Sequence, residues 1–204
     1  MVGVSEHYFS ENPTSTEERG LIISTLRGIK MEFVTSSGIF SHKRIDNGTR
    51  LLVEFMELPA KGRLLDLGCG YGVIGTTAAL INPLLEVTMT DINARAVSLA
   101  AENVSRNRAK NASARLGSLY EPVNAMRFDL VVTNPPISAG ITRVVEPIIN
   151  GAPLHLNSGG SLQLVVQSNK GGRTVTGLIE EAFGEAQILA KGGGYRVLKG
   201  VKKG

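Results

Sequence analysis

A glycine-rich turn follows a short apolar run in the first half of the sequence. The run spans residues 64–67 and contains Asp66, and the turn that follows it comprises Gly68, Cys69, Gly70, Tyr71 and Gly72. Glycine has no Cβ, so the backbone of such a turn can approach a ligand closely and can adopt positive φ. A helical pattern begins next, and the first turn of a helix offers unpaired N–H groups. These features predict a loop that binds a nucleotide-like cofactor.

The charges around this turn distinguish between two types of cofactor. Residues 70–75 match the dinucleotide fingerprint G-x-G-x-x-G, with Asp91 about 20 residues further on, so an NAD-dependent oxidoreductase is one alternative. The turn, however, already begins at Gly68, before the fingerprint starts. The carboxylate of Asp66 would also repel a pyrophosphate. S-adenosylmethionine contains no phosphate and has a cationic sulfonium and α-amino group, so it fits this environment better.

A second acidic position lies at the end of the next apolar run. Asp91 is followed there by Ile92 and Asn93. A carboxylate at the end of the second strand of such a fold can accept hydrogen bonds from ribose hydroxyls. We therefore expect Asp91 to bind the ribose of the cofactor, with Ile92 and Asn93 in the same site.

The candidate catalytic residues form the turn Asn134-Pro135-Pro136, which Ile137 follows. Proline fixes φ and has no N–H, so this turn is stiff and presents the Asn134 amide and free carbonyls. An exocyclic amine of a nucleobase is a poor nucleophile because its lone pair is conjugated. Hydrogen bonds from its N–H groups to the Asn134 oxygen and the Pro135 carbonyl would hold it in line with the sulfonium methyl group. The turn therefore predicts amine methylation without a strong general base.

Predicted strands and helices, which must position these residues, alternate along the chain. Strands are predicted at residues 63–68, 86–92, 113–119, 128–134, 161–167, 187–191 and 195–202, and helices at 73–80, 94–107, 142–151 and 174–183. This alternation is typical of an α/β fold with a parallel sheet. Only Gly192–Gly194 separate the last two strands, so the final strand should run antiparallel. Asn93 is predicted to cap the second of these helices.

The first 60 residues have a different pattern. Residues 20–35 contain two β-leaning runs around Arg27 and Gly28, and a helix is predicted at about residues 48–58, before Pro59. We interpret residues 1–60 as an N-terminal extension packed on the core and residues 61–204 as the core of a single domain. Residues 1 to about 16 and 202–204 are the expected disordered ends.

Composition excludes several classes of protein. The chain has 204 residues, of which 42% are hydrophobic and 20% charged, and one cysteine. This balance is globular, and no apolar run reaches the roughly 18–20 residues of a membrane-spanning helix. No signal peptide is visible, so we expect a cytoplasmic protein without a membrane partner. The net charge of +4 permits a polyanionic partner.

Several polar residues could have a functional role or could simply be solvent-exposed. Lys170 and Arg173 follow the strand at 161–167, where they could bind RNA phosphates or simply be solvated. Lys43, Arg44 and residues 106–110 have the same two interpretations. His7, His42 and His155 are widely separated and there is no cysteine cluster, so no metal site is predicted. Cys69 has no evident histidine partner and is not expected to be a nucleophile.

Together, the glycine turn, Asp91 and the Asn-Pro-Pro turn resemble the class I S-adenosylmethionine-dependent methyltransferases. More closely, the chain is similar to the "methyltransferase small domain" family, which includes the small-subunit ribosomal RNA guanine-N2 methyltransferases. The resemblance extends to the N-terminal segments at residues 7–10, 12–15, 35–41 and 46–52, and so covers nearly the whole chain. It implies a Rossmann-like seven-stranded sheet of order 3-2-1-4-5-7-6, with strand 7 antiparallel and an N-terminal β-hairpin.

The resemblance also implies roles for individual residues. The cofactor loop would be formed by Asp66, Gly68, Gly70 and Gly72, with Asp91 on the ribose and Ser118 and Leu119 beside the adenine. The methionine side would be closed by Phe40, Asp46, Gly48 and Thr49. Two positions depart from the family: many members have an acid in place of Ser118, and many nucleic-acid amine methyltransferases have a stacking aromatic residue in place of Ile137.

The sequence therefore predicts an S-adenosylmethionine-dependent enzyme that methylates an exocyclic base amine in RNA, with guanine N2 of small-subunit ribosomal RNA as the favoured target. The expected partner is ribosomal RNA or an assembling small subunit. Adenine-N6 and protein glutamine-N5 methyltransferases use similar Asn-Pro-Pro turns and are alternatives. A non-catalytic RNA-binding module and an NAD-dependent oxidoreductase are alternatives from other classes.

Overall fold

The computed structural model describes residues 18–39 and 41–204. The predictions for Phe40, for His7 and for disorder in the first 16 residues lie outside the described residues. The described strands are β1 (Arg19–Leu26), β2 (Ile29–Ser36), β3 (Gly62–Leu67), β4 (Leu85–Asp91), β5 (Ala112–Leu116), β6 (Phe128–Thr133), β7 (Leu156–Gln167), β8 (Gln187–Gly192) and β9 (Tyr195–Val201). The α-helices are α1 (Asn47–Phe55), α2 (Val73–Ile81), α3 (Ala94–Arg106), α4 (Glu146–His155) and α5 (Gly172–Phe183).

Strands β3 to β9 form one sheet of order β5-β4-β3-β6-β7-β9-β8. Neighbours from β5 to β7 are parallel, whereas β9 is antiparallel to both β7 and β8. Numbered from β3, this order is 3-2-1-4-5-7-6, so the predicted α/β, Rossmann-like fold is confirmed. The short glycine turn between β8 and β9 explains the reversal, because it leaves no room for a crossover helix.

The hydrophobic core lies in two layers, one on each face of the sheet. Neighbouring residues of β3 point to opposite layers: Leu64 packs with α2, α3 and the N-terminal hairpin, and Leu65 packs with α4 and α5. Both are fully buried. A strand covered on both faces must be apolar on both, which accounts for its continuous apolar run. Its carboxyl end, next to those of β4 and β6, is the place where such sheets bind ligands.

The N-terminal hairpin forms a separate two-stranded sheet of β1 and β2. Buried Asn103 of α3 joins it to the core, since its Oδ1 accepts from Val34 N at 2.7 Å and its Nδ2 donates to the carbonyls of Val34 and Tyr71. Further along, Gln163 of β7 exchanges two hydrogen bonds with the backbone of Glu57. The boundary at residue 60 stays a prediction, although these contacts agree with an extension packed on the core.

Four elements differ from the sequence-based expectation by three residues or more. The helix predicted at about 48–58 is α1, which ends at Phe55 because Met56 is extended. β7 begins at Leu156 because this residue pairs with Phe128, and a register shift then separates Phe128 from Leu130. β5 ends at Leu116, because Gly117 takes a φ of 152° and the chain turns away from β4. The predicted helix at 142–151 is a π-helical turn, Ile141–Val145, followed by α4. Among residues 18–39 and 41–204, no helix has the length and apolar character needed to cross a bilayer.

Candidate active site

The glycine turn between β3 and α2 has the backbone geometry that its sequence predicts. Gly68, Gly70 and Gly72 have φ values of 71°, 56° and 87°, a region that other residues rarely adopt. The backbone N–H groups of Gly68 and Cys69 both donate to the carbonyl of Thr90, at 2.8 and 2.9 Å. The turn is therefore fastened to the end of β4. A Cβ on Gly68 or Gly70 would meet no atom within 4 Å, so the turn faces open space.

Asp91 fastens the same turn through its side chain. Its Oδ2 accepts from the N–H of Gly70 at 2.8 Å, and its Oδ1 accepts from the N–H of Asn93 at 2.9 Å. Burial raises the pKa of Asp91, although these hydrogen bonds favour the charged form. Asn93 in turn caps α3, since its side chain accepts from the N–H groups of Arg95 and Ala96. The predicted helix cap is therefore present.

Asp66 lies beneath the turn. Its side chain is fully buried, and its Oδ2 accepts from the N–H of Gly75 at 2.8 Å, which anchors the first turn of α2. Its Oδ1 has no hydrogen-bond partner among the described residues. Burial raises the pKa of Asp66 to about 7, and the nearby charge of Asp91 adds to the increase. The geometry thus gives Asp66 a part in holding the turn, while its predicted contact with the cofactor stays a prediction.

A cavity of about 630 Å³ opens at the carboxyl ends of β3, β4 and β6. This volume is within the range of about 300–1,000 Å³ that small-molecule sites occupy. The predicted site residues that line it are Gly68, Asp91, Ile92, Ser118, Leu119, Asn134 and Pro136. A smaller cavity of about 40 Å³ shares Gly68 and Asn134 with it, and its lining adds Asp46, Thr49, Cys69 and Gly70. The fold therefore brings together residues from every predicted motif.

The side chain of Asn134 is held in one orientation at this cavity. Its Nδ2 donates to Oδ2 of Asp46 at 3.1 Å and to Oγ1 of Thr49 at 2.9 Å. Both N–H groups of the amide thus have protein acceptors, whereas no described residue donates to its oxygen. A flipped amide would place its oxygen against the Asp46 carboxylate. The oxygen of Asn134 is therefore an available acceptor at the cavity, and its predicted contact with a substrate amine stays a prediction.

The two prolines after Asn134 shape the rest of this edge. Pro136 has φ −76° and ψ 85°, an inverse γ-turn in which the N–H of Ile137 donates to the Pro135 carbonyl at 2.9 Å. One lone pair of this carbonyl is therefore used within the protein, and a second is available. Ile137 is half-buried, and with Ile141 it contacts the chain at Gly171.

Other predicted residues lie around the cavities rather than in their linings. Gly72 packs against Ala100, and Gly48 packs against the ring of Tyr195, both too closely for a larger residue. Lys170 and Arg173 are exposed on the segment at Gly171, beside Ile137. Cys69 is buried, and burial together with two nearby carboxylates raises the pKa of its thiol, which disfavours a thiolate nucleophile.

Comparison with known proteins decides the family. The model of the methyltransferase small domain matches residues 30–199. The chain belongs to the methyltransferase small domain family. The predicted family is thus confirmed, and with it the predicted class, a methyltransferase domain.

Relatives within the methyltransferase small domain family fall into two lengths. The chain is 37% identical over 201 residues to the uncharacterised protein YbxB of Bacillus subtilis, covering 98% of this chain and 100% of YbxB. It is 36% identical over 163 residues to ribosomal RNA small subunit methyltransferase C of Haemophilus influenzae, covering 78% of this chain and 48% of that protein. The chain therefore spans about half the length of the methyltransferase C relatives that it matches.

A solved structure has a closely similar fold. It is the 16S rRNA N2 methyltransferase RsmC of T. thermophilus in complex with AdoMet and guanosine, with a TM-score of 0.83 and 28% identity. The match covers 94% of this chain and 52% of that chain.

Three residues at the site were not assigned a role by the sequence analysis. Tyr71 lines the smaller cavity, Arg143 lines the larger one, and Tyr195 contacts Asp46. Tyr71 could have been noticed from its place within the glycine turn. Arg143 and Tyr195 could not, because a π-helical turn and the pairing of β9 bring them to the site. Within the described ranges, no three His, Cys, Asp or Glu side chains form a group that could hold a metal ion.

Proposed function

We propose that this chain transfers the methyl group of S-adenosylmethionine to an exocyclic base amine in RNA, and that its target is guanine N2 of small-subunit ribosomal RNA. The observation that carries the proposal is the orientation of Asn134. Its amide nitrogen is bound to Asp46 and Thr49, and its oxygen is left as an acceptor beside a cavity that also contains the glycine turn and Asp91. An amine donor and a cofactor can thus meet at one place.

The residues of the cavity fit S-adenosylmethionine. Open space at Gly68 and Gly70 would be filled by a Cβ, as expected where a ligand lies against the backbone. The buried hydroxyls of Thr90 and Thr133 line the cavity edge and have no hydrogen-bond partner among the described residues. We infer that Asp91 binds the ribose and that Ser118 and Leu119 lie beside the adenine, as their positions at the end of β4 and after β5 favour.

In the proposed reaction, the cofactor supplies an electrophilic methyl group on a positively charged sulfur. Asn134 Oδ1 and the second lone pair of the Pro135 carbonyl accept the two N–H groups of the target amine. These hydrogen bonds hold the nitrogen lone pair toward the methyl carbon. The nitrogen would take the methyl group, and the electron pair of the C–S bond would stay on the sulfur of the cofactor. The amine then loses one proton to water, so orientation, and not a strong base, supplies the rate increase.

Two observations support RNA as the substrate. The methyltransferase C relatives are named for small-subunit ribosomal RNA, and the RsmC structure contains guanosine. In this chain, exposed Lys170 and Arg173 lie beside Ile137, and exposed Lys43 and Arg44 lie just before Asp46. Cations next to residues of the site would bind the phosphates that flank a target nucleotide. The cytoplasmic location predicted from the sequence stays a prediction.

The test is transfer of a tritiated methyl group to total RNA from a strain that lacks the gene, followed by nucleoside analysis. We expect label in N2-methylguanosine from small-subunit RNA. Label in N6-methyladenosine would identify adenine as the target and overturn the guanine assignment. The same assay with a whole-cell extract in place of RNA tests the other alternative, because label in protein glutamine and none in RNA would identify a protein target. Binding of RNA without any incorporation, while S-adenosylmethionine is bound, would show a non-catalytic module.

A further inference from the structure

Tyr195, the first residue of β9, packs against the helix that carries Asp46 and Thr49. Its ring lies over Gly48, where a Cβ would come within 2.9 Å of the ring carbon Cε1. The side chain is half-buried and is absent from the described linings of both cavities. Its connection to these cavities therefore runs through the residues that it contacts.

A chain of hydrogen bonds connects Tyr195 to Asn134. Gln167 Nε2 donates to the phenol oxygen of Tyr195 at 2.9 Å. The phenol donates to Oδ1 of Asp46 at 3.4 Å, a long contact, and Oδ2 of Asp46 accepts from Asn134. Because Gln167 occupies the phenol oxygen as a donor, it directs the phenol proton toward Asp46. Catalytic contacts that are long in the free enzyme commonly shorten when substrate binds.

We propose that Tyr195 is a positioning residue for methyl transfer: its hydroxyl holds Asp46 in the rotamer that aims the oxygen of Asn134 at the target amine. This inference rests on the proposed function of the site. The carboxylate of Asp46 accepts two other hydrogen bonds, from the N–H of Thr49 and from the amide of Asn134. Both are accepted by Oδ2. Tyr195 is the described residue that holds Oδ1, so it limits rotation of the carboxylate about its own axis.

The positioning role of the Tyr195 hydroxyl can be tested without disturbing the fold. Asp46 caps α1 through the Thr49 N–H at 3.1 Å, a bond that does not involve Tyr195. Tyr195→Phe retains the ring that packs on Gly48 and removes only the hydroxyl. The helix cap and the packing should therefore survive in this variant, while the contact with Asp46 is lost.

The first experiment measures single-turnover methyl transfer at saturating cofactor for Tyr195→Phe and for Gln167→Glu. A glutamate at 167 would accept the phenol proton and withdraw it from Asp46. We expect each variant to lower the rate on the order of tenfold, as for the loss of one orienting hydrogen bond. Dissociation constants for S-adenosylmethionine and RNA should stay within about twofold of wild type. The double variant should be no slower than either single variant, because both break one connection.

Thr176→Val is the matched control, since it also removes one hydroxyl, which donates to the Gly172 carbonyl in α5. Its rate should equal that of wild type. A wild-type rate for Tyr195→Phe would overturn the proposal. So would a double variant in which the two losses multiply, because the hydroxyl and Gln167 would then act separately.

A second measurement does not depend on catalysis. The side-chain amide signals of Asn134, assigned by their absence in Asn134→Ala, should shift and exchange faster with water in Tyr195→Phe but not in Thr176→Val. If wild type methylated no RNA, the proposed function would fail, and these signals alone would still test the connection between Tyr195 and Asn134. Unchanged Asn134 signals in Tyr195→Phe would overturn it.

Discussion

The carboxylate of Asp91 accepts a hydrogen bond from the N–H of Gly70, with 2.8 Å between the two atoms. This contact joins the end of β4 to the turn that follows β3, and the second oxygen of Asp91 holds the N–H of Asn93 before α3. One side chain therefore connects two segments of the candidate cofactor site. Because burial raises its pKa, hydrogen bonds from ribose hydroxyls would stabilise a charge that has lost contact with water.

Asp91→Ala should weaken binding of S-adenosylmethionine by about 1.5–3 kcal/mol, the contribution of hydrogen bonds to a charged group. Titration calorimetry measures this change. Asp129→Ala is a matched control, because Asp129 also accepts a backbone N–H, that of Arg63 at 2.8 Å, but lies in the first part of β6 and away from the cavity. Equal affinity for the cofactor in wild type and Asp91→Ala would contradict the ribose assignment.

Gly68→Ala should impair cofactor binding beyond its effect on stability. A Cβ at Gly68 meets no protein atom within 4 Å but would enter the space where both cavities meet. Gly28→Ala, at the tip of the N-terminal hairpin, is the control because its φ of 80° is close to the 71° of Gly68 and its Cβ also meets nothing. Both variants should lose about 1–2 kcal/mol in chemical unfolding. Only Gly68→Ala should bind S-adenosylmethionine at least about tenfold more weakly, or about 1.4 kcal/mol.

The buried carboxyl of Asp66 predicts a pH-dependent stability. Its pKa is raised to about 7 in the folded protein, from an ordinary value of 3.8. Between these values the folded state keeps a proton that the unfolded state has lost, so the free energy of unfolding should fall as pH rises from about 4 to 7. The decrease is on the order of 4 kcal/mol, and it should level off above about pH 7.

Urea unfolding of wild type and Asp66→Asn across this pH range checks the prediction. Asparagine keeps an oxygen for the N–H of Gly75 and cannot ionise. The difference in unfolding free energy between the two proteins should therefore shift in favour of Asp66→Asn as pH rises. Parallel curves from about pH 4 to 8 would show that Asp66 does not titrate in this range.

Local patterns were sufficient to predict most of the fold. The apolar runs located all seven strands of the main sheet, and the short glycine turn before Tyr195 predicted the antiparallel strand β9. Asn93 predicted the start of α3 because a helix cap depends on neighbouring residues. The early start of β7 was not predictable, since it depends on a register shift against Phe128 rather than on its own sequence.

The site was predictable where a motif carries its own geometry. Positive φ at the glycines and the stiff turn after Asn134 follow from those residues alone. The bond between Asn134 and Asp46 could not be derived in this way, because 88 residues separate the two. Packing of α1 against the sheet brings them together. Likewise, Arg143 reaches the cavity on a π-helical turn that no local preference predicts.

Lys170→Ala combined with Arg173→Ala should weaken RNA binding and lower the slope of log affinity against log salt by about 1–2, as expected for one or two lost phosphate contacts. The measurement is a set of RNA binding isotherms at several salt concentrations. Lys61→Ala with Arg127→Ala is the matched control, because these exposed cations precede β3 and β6 at the opposite edge of the sheet. An unchanged slope in the Lys170→Ala, Arg173→Ala variant would show that the RNA surface lies elsewhere, and Lys43 and Arg44 would be tested next.

Asn134→Ala should separate chemistry from cofactor binding. The variant removes the oxygen that is proposed to hold the target amine but leaves Asp66, Asp91 and the glycine turn in place. Single-turnover methyl transfer should slow by about 100-fold or more, because a misplaced nucleophile rarely reaches the reactive geometry. Affinity for S-adenosylmethionine should change by less than about tenfold. A rate equal to that of wild type would remove Asn134 from the mechanism.

Asn134→Asp tests whether Asp46 orients the side chain of residue 134. The new carboxylate would replace a donor that lies 3.1 Å from Oδ2 of Asp46, so two acceptors would face each other. Like charges at this distance raise the pKa of the pair, and one shared proton restores the missing hydrogen bond. The rate of Asn134→Asp relative to wild type should therefore rise as pH falls through that shared pKa, whereas the relative rate of Asn134→Ala should not change. Single-turnover rates of the three proteins across pH measure this, and equal pH dependence in both variants would mean that Asp46 does not orient residue 134.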